Sequence, residues 1–189
     1  DISFQKATPS KEISQGNPLP FESPDTTHFS VMDKYGNVVA NTYTLNFSYG
    51  SGIVIPGTGI LMNNEMDDFS SKKGVPNAYG LVGYEANAIE AKKRPLSSMT
   101  PTIIFKNKKP YLVLGSPGGS RIITTVLQVA LNVLEHGMNI KKAVASPRIH
   151  HQWLPDLLLL EDGFSIDTKK LLKNKGHIIK PSRTMGSVQ

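Results

Sequence analysis

Tyr111-Leu112-Val113-Leu114-Gly115-Ser116-Pro117-Gly118-Gly119-Ser120-Arg121-Ile122-Ile123-Thr124-Thr125-Val126-Leu127 reads as an apolar strand, a glycine-rich turn and the start of a long apolar helix. Two adjacent glycines at such a junction leave backbone N–H groups bare, and the positive end of the helix dipole adds to them. That combination suits a carboxylate, a phosphate or the oxyanion of an acyl-transfer intermediate. It equally suits a tight turn in which glycine only relieves strain. The segment leaves both readings open.

Outward from this point the chain alternates strand and helix signals. His28–Met32 and Val38–Asn46 are β-rich runs joined through Gly36-Asn37, the pattern of a hairpin. Thr102–Phe105 and Tyr111–Leu114 flank a second turn at residues 106–110. The helix after Ser120 is predicted to reach about Glu135; it is apolar nearly all round, with Thr124, Gln128 and Asn132 as a narrow polar stripe, and is expected to be mostly buried. Gly137 caps its end. Asn139 and Ser165 are placed to cap two further helices, through Ala145 and about Asn174. Leu157–Glu161 and His177–Lys180 read as short strands. Residues 47–99, rich in Gly, Pro, Ser and Asn, read mostly as loop, and loops of that length are usually functional or disordered. Together these signals predict an α+β fold with helices packed on antiparallel sheet.

Composition narrows the function. The chain has 189 residues, enough for one substantial core. Its net charge is +6, but the basic residues are scattered in pairs beside turns, with no aromatic-interleaved stripe, so nucleic acid is not an expected partner. With Cys 0 there is no disulfide framework, no thiolate zinc site and no cysteine nucleophile. No apolar run reaches membrane-spanning length, and residues 1–25 carry no signal-peptide core. Those 25 residues are polar and proline-punctuated, as in an extended linker.

Asp25-Thr26-Thr27-His28 stands where this linker meets the first strand. A threonine hydroxyl there is a nucleophile only if cleavage frees its own α-amine, whose pKa of about 7.7–8.0 lets it accept the hydroxyl proton near neutral pH. Otherwise Thr26 and Thr27 are ordinary strand formers. His28 is not expected to substitute as base, because neighbouring strand residues point to opposite faces.

Thr26–Val31, Asn63-Asn64-Glu65-Met66-Asp67-Asp68-Phe69, Arg94-Pro95-Leu96-Ser97-Ser98-Met99, Gly115–Arg121 and Pro147–Pro155, in this order and spacing, resemble the small subunit of bacterial γ-glutamyltranspeptidases. The likeness runs from Thr26 to the end of the chain. It implies a four-layer αββα sandwich of the N-terminal nucleophile hydrolase type. It implies a precursor that cuts itself between Asp25 and Thr26, with residues 1–25 as the tail of the large subunit and 26–189 as a catalytic small-subunit domain whose C-terminal part is incomplete.

The roles implied by the resemblance are specific. Thr26 attacks a γ-glutamyl carbonyl; Thr44, expected on the same strand face as Asn46, hydrogen-bonds Thr26 and assists self-cleavage. Gly118 and Gly119 hold the oxyanion. Asn46, Glu65 and Asp68 bind the α-ammonium of the donor, and Ser97 and Ser98 its α-carboxylate. Taken without the family, Glu65 and Asp68 are equally turn-capping loop acids, and Ser97-Ser98 a simple turn. Arg148, His150 and His151, with no obvious carboxylate partner, are expected to be structural or surface residues.

The implied activity is hydrolysis and transfer of γ-glutamyl groups from donors such as glutathione to water, amino acids or peptides. No metal or organic cofactor is implied. The implied partner is the precursor's large subunit, without which the chain is expected to be inactive, and the implied location is periplasmic or secreted. Poly-γ-glutamate or a β-lactam side chain as acyl donor, or a non-catalytic binding domain on the same fold, are the alternatives.

Overall fold

Strand β1 (Thr26–Met32) pairs antiparallel with β2 (Val38–Thr44), Thr26 opposite Thr44 and Met32 opposite Val38. The computed structural model of the chain describes Lys6, Pro9 and residues 26–189. The hairpin closes where Asp33 accepts from the backbone N–H groups of Tyr35 and Asn37 and Gly36 takes φ +87°. Relative to the sequence reading, β1 begins two residues earlier, and β2 stops at Thr44 because Asn46 turns to φ +74°.

Strands β3 (Thr102–Lys106) and β4 (Lys109–Leu114) form the second hairpin. Its loop is only Asn107-Lys108, both at positive φ, the left-handed pair that matches strand twist. The register shifts between Ile104 and Phe105, opposite Pro110, which has no N–H to donate. This hairpin lies against β1 and β2.

A 3-10 turn, Gly119–Arg121, leads from β4 into α1 (Ile122–Leu134). Ile122, Val126 and Val129 recur at helical spacing and meet Leu112, Leu114, Ala143 and Val188 in the principal core. The expectation of a mostly buried helix needs correcting. Ile123, Leu127, Leu131 and Leu134 form a second apolar stripe that is exposed among the described residues. The polar stripe, in contrast, faces protein. Gln128 donates to Ile149 O and accepts from Ile149 N, Thr124 bonds the His150 ring, and Asn132 donates to Ala143 O. Its function is to satisfy neighbouring backbone and ring polar groups.

Helix α2 (Ile140–Ala145) is capped by Asn139, which accepts from Lys142 N at 2.9 Å. Helix α3 (Ile166–Asn174) is capped by Ser165, which accepts from Thr168 N at 3.1 Å. Gly137 and Gly176 follow α1 and α3 at positive φ, as capping glycines do. The third sheet has the order β5 (Ile149–His151), β6 (Leu158–Leu160), β7 (Ile179–Pro181), antiparallel then parallel. Strand β5 sits in the His- and Pro-rich stretch 147–155 and lacks the apolar run that marks the equally short β6 in the sequence. The fold is α+β.

Two residues expected to lack a carboxylate partner have one. Arg148 Nη1 lies 3.2 Å from Glu161 Oε1, both side chains being buried, and His151 Nε2 lies 3.1 Å from Asp156. Arg148 also donates to Val144 O and Met185 O. His150 is buried against Thr124 and Gln152, and that burial pulls its pKa down to about 4, so it is neutral at physiological pH.

Candidate active site

Thr26 opens β1 and stands half-buried opposite Thr44. His28 lies two residues on and shares the face of Thr26; strand alternation separates it only from Thr27. Its partners remove it as a base. Nδ1 is engaged with Thr42 Oγ1 at 2.7 Å and Nε2 with Ser30 Oγ at 3.2 Å.

Asn46 is not on a strand face with Thr44, contrary to the sequence reading. The chain leaves β2 after Thr44, and Thr44 Oγ1 accepts from the Asn46 backbone N–H at 2.9 Å. Asn46 is buried in a left-handed conformation, which asparagine tolerates better than most residues. It donates to Asn64 O, while Asn64 Oδ1 accepts from Phe47 N. The Tyr79 hydroxyl donates to Asn46 O at 2.6 Å, its ring set edge-on against Phe47. This knot brings Asn46 to the acidic turn.

That turn is a 3-10 helix, Glu65–Asp68. Neither Glu65 nor Asp68 caps this turn: Asn63 accepts from Glu65 N at its start, and the Asp67 carboxylate reaches out to accept from Ala78 N. Glu65 and Asp68 instead share a hydrogen bond. Burial, then the charge of Asp68, then that bond push the Glu65 pKa up to about 7. Burial also raises Asp68, with the bond to Glu65 opposing and the charge of Asp67 adding. Glu65 Oε1 is buried with no hydrogen-bond partner, an acceptor that calls for a donor.

These residues converge. One cleft is lined by Thr26, Thr44, Asn46, Glu65, Asp68, Ser97, Ser98 and Gly119. Gly118 is not on the lining; it takes φ +136° and turns toward Gly186. Asp25, the other half of the expected cleavage bond, lies outside the described residues. Tyr79, Leu81, Met99, Ser120 and Ile122 complete the wall. Met99 and Ser120 belong to motifs named from the sequence, and Ile122 directly follows one. Tyr79 and Leu81 come from the long loop and carry no local signal.

The cleft offers a threonine at a strand start, an acidic pole, a pair of serine hydroxyls and a glycine turn at a helix start. An acidic pole beside neutral donors suits a free amino-acid head group, ammonium toward the carboxylates and carboxylate toward the hydroxyls. Among the described residues no His/Cys/Asp/Glu group is arranged to hold a metal, and no helix is long and apolar enough to cross a membrane.

Comparison with known proteins gives a consistent picture. A sequence profile described as gamma-glutamyltranspeptidase matches residues 1–189. The chain is 59% identical over 188 residues to the glutathione hydrolase proenzyme of Escherichia coli, covering 100% of this chain and 32% of that protein. It is 52% identical over 176 residues to the glutathione hydrolase proenzyme of a Pseudomonas species, covering 93% of this chain and 30% of that one. It superposes on a crystal structure of a Helicobacter pylori gamma-glutamyltranspeptidase mutant with a TM-score of 0.83 and 61% identity, covering 86% of this chain and 88% of that chain. The chain thus spans about a third of the length of these curated relatives.

Proposed function

The chain belongs to the γ-glutamyltranspeptidase family, and from that membership we propose that it carries the nucleophile of an enzyme that hydrolyses and transfers γ-glutamyl groups, glutathione being one donor. The observation that carries this reading is the convergence of Thr26, the Glu65–Asp68 pair, Ser97-Ser98 and Gly119 on one cleft from four separate segments.

The chemistry runs as follows. Self-cleavage between Asp25 and Thr26 frees the Thr26 α-amine. That amine takes the proton from Thr26 Oγ as the oxygen adds to the γ-carbonyl. The Gly119 N–H, on the cleft lining, and the Gly118 N–H of the peptide just behind it hold the resulting oxyanion, a role in which one donor typically contributes about 2.7–4 kcal/mol. The ammonium returns its proton to the leaving amine, the carbon–nitrogen bond breaks, and a Thr26 ester remains. Water or an incoming amine, deprotonated by the same α-amine, resolves it. Thr44 steadies Thr26; Asn46, Glu65 and Asp68 hold the donor ammonium, and Ser97 and Ser98 its carboxylate. The large subunit of the same precursor completes the site, and the processed enzyme acts in the periplasm or outside the cell.

Treating the processed full-length protein with a glutamine-mimicking electrophile is expected to give one covalent adduct, on Thr26, located by peptide mass spectrometry. An adduct elsewhere, or none under conditions that block turnover, refutes the proposal.

The acidic pair gives a pH signature. An α-ammonium favours ionised carboxylates, so the proton held by Glu65 near pH 7 competes with the donor. Raising the pH removes the competitor. The dissociation constant of an unreactive γ-glutamyl analogue is expected to fall by roughly tenfold between about pH 5.5 and about pH 7.5. In Glu65→Gln the dependence flattens. Calorimetry across that window checks it, and a constant affinity in the parent enzyme contradicts it.

A further inference from the structure

The diglycine loop is held from behind by the last residues of the chain. Gly115 and Gln189 exchange backbone hydrogen bonds, N to O at 3.3 Å and 3.0 Å. Ser116, wholly buried, donates from Oγ to Pro117 O at 2.7 Å and accepts from Ser187 N at 2.9 Å. Between these contacts sits Gly186 at φ +75°. A Cβ there would stand 2.5 Å from Ser116 Oγ, 2.9 Å from Pro117 O and 3.1 Å from Thr125 Cγ2. A Cβ on Gly118 would in turn meet Gly186 Cα at 3.3 Å. This segment is held in place, because Met185 is buried, its carbonyl accepts from Thr125 and Arg148, and its N–H bonds Glu161.

Pro117 C=O and Gly118 N–H are the two ends of one planar peptide unit. Fixing the carbonyl therefore fixes the direction of the N–H. On the basis of the proposed reaction, we propose that Ser116 is a positioning residue for the oxyanion: its hydroxyl, oriented by Ser187 N–H, pins Pro117 C=O and so aims Gly118 N–H, while side-chain-free Gly186 leaves room for that peptide. Ser116 is wholly buried, so its side chain acts through the peptide it holds and not on the substrate. Its effect falls on the transition state, where charge develops on the carbonyl oxygen, and not on the donor head group.

The test uses the full-length processed enzyme. Ser116→Ala is expected to lower kcat by about 10- to 100-fold, below the loss of a whole oxyanion donor, with the donor KM nearly unchanged. Affinity for a tetrahedral γ-boronate analogue is expected to fall by the same factor, while affinity for a planar γ-glutamyl analogue holds. Gly186→Ala presses on the same peptide and is expected to reproduce the pattern. In the double variant the two effects are expected to be less than additive, since both act through one peptide unit. Gly186→Ala also stands alone if Ser116→Ala fails to fold. Equal losses for planar and tetrahedral ligands, or parent-like kinetics in both variants, overturn the inference. A parent enzyme that neither turns over γ-glutamyl donors nor favours the boronate would defeat the proposed reaction itself, a separate outcome.

Discussion

Thr26→Ala in the full-length precursor is expected to leave the polypeptide in one piece and to abolish turnover. The same oxygen serves both events. Self-cleavage needs a hydroxyl to attack the preceding peptide carbonyl, and the later reaction needs it to attack the γ-carbonyl. Alanine supplies neither, and the α-amine, still locked in a peptide bond, is not available as base. Removing the nucleophile of a covalent hydrolase costs on the order of 10⁶ in kcat. Thr26→Ser keeps the oxygen and is expected to retain both processing and measurable activity. Because Thr26 is half-buried at a strand start, the methyl lost in that change leaves no large cavity. Gel electrophoresis reports cleavage and release of a chromogenic γ-glutamyl anilide reports turnover. A cut Ala variant, or one within about tenfold of the parent rate, would dismiss threonine catalysis.

Asp68→Asn is expected to be the next most damaging change. Asparagine matches aspartate in shape, and the Asp68 backbone carbonyl keeps its bond from Asn87 Nδ2. What disappears is a half-buried negative charge that, in the proposed function, faces the donor ammonium. Truncating one partner of a buried, hydrogen-bonded charge pair costs about 2–5 kcal/mol, so kcat/KM is expected to drop by roughly 30-fold to several thousand-fold. The change has a second consequence. The charge of Asp68 is one cause of the raised Glu65 pKa, so neutralising it moves Glu65 back toward the ordinary carboxylate range. The midpoint of the pH dependence of analogue binding is then expected to move to lower pH. Unchanged kcat/KM would remove Asp68 from donor binding, and an unmoved midpoint would dissociate the two carboxylates.

Much of the fold was legible because its signals are local. Asn139 and Ser165 cap the helices they precede, and Gly137 and Gly176 follow them at positive φ, since a cap depends on a few consecutive residues. Both hairpins follow from alternation and turn chemistry. Strand β5 sits in the His- and Pro-rich stretch 147–155 and lacks the apolar run that marks the equally short β6, and the outer stripe of α1 stays exposed because apolar spacing reports a preference for burial, not what is present to provide it. Alternation alone sets Asn46 on a strand face, since it gives no notice that the chain leaves β2 at Thr44.

For the cleft the division is similar. The chemical types were readable by eye: a threonine at a linker–strand junction, paired acids, paired serines, adjacent glycines. Side-chain identity and short-range spacing settled those, because covalent neighbours need no folding to be near one another. Which of them meet was decided in three dimensions. Tyr79 reaches Asn46 across 33 positions and Ser187 reaches Ser116 across 71, contacts with no trace in any local pattern. Packing of the core elements, driven by burial of apolar side chains such as Leu114, Ile122 and Val188, brings these distant segments together and sets the orientation of the glycine turn.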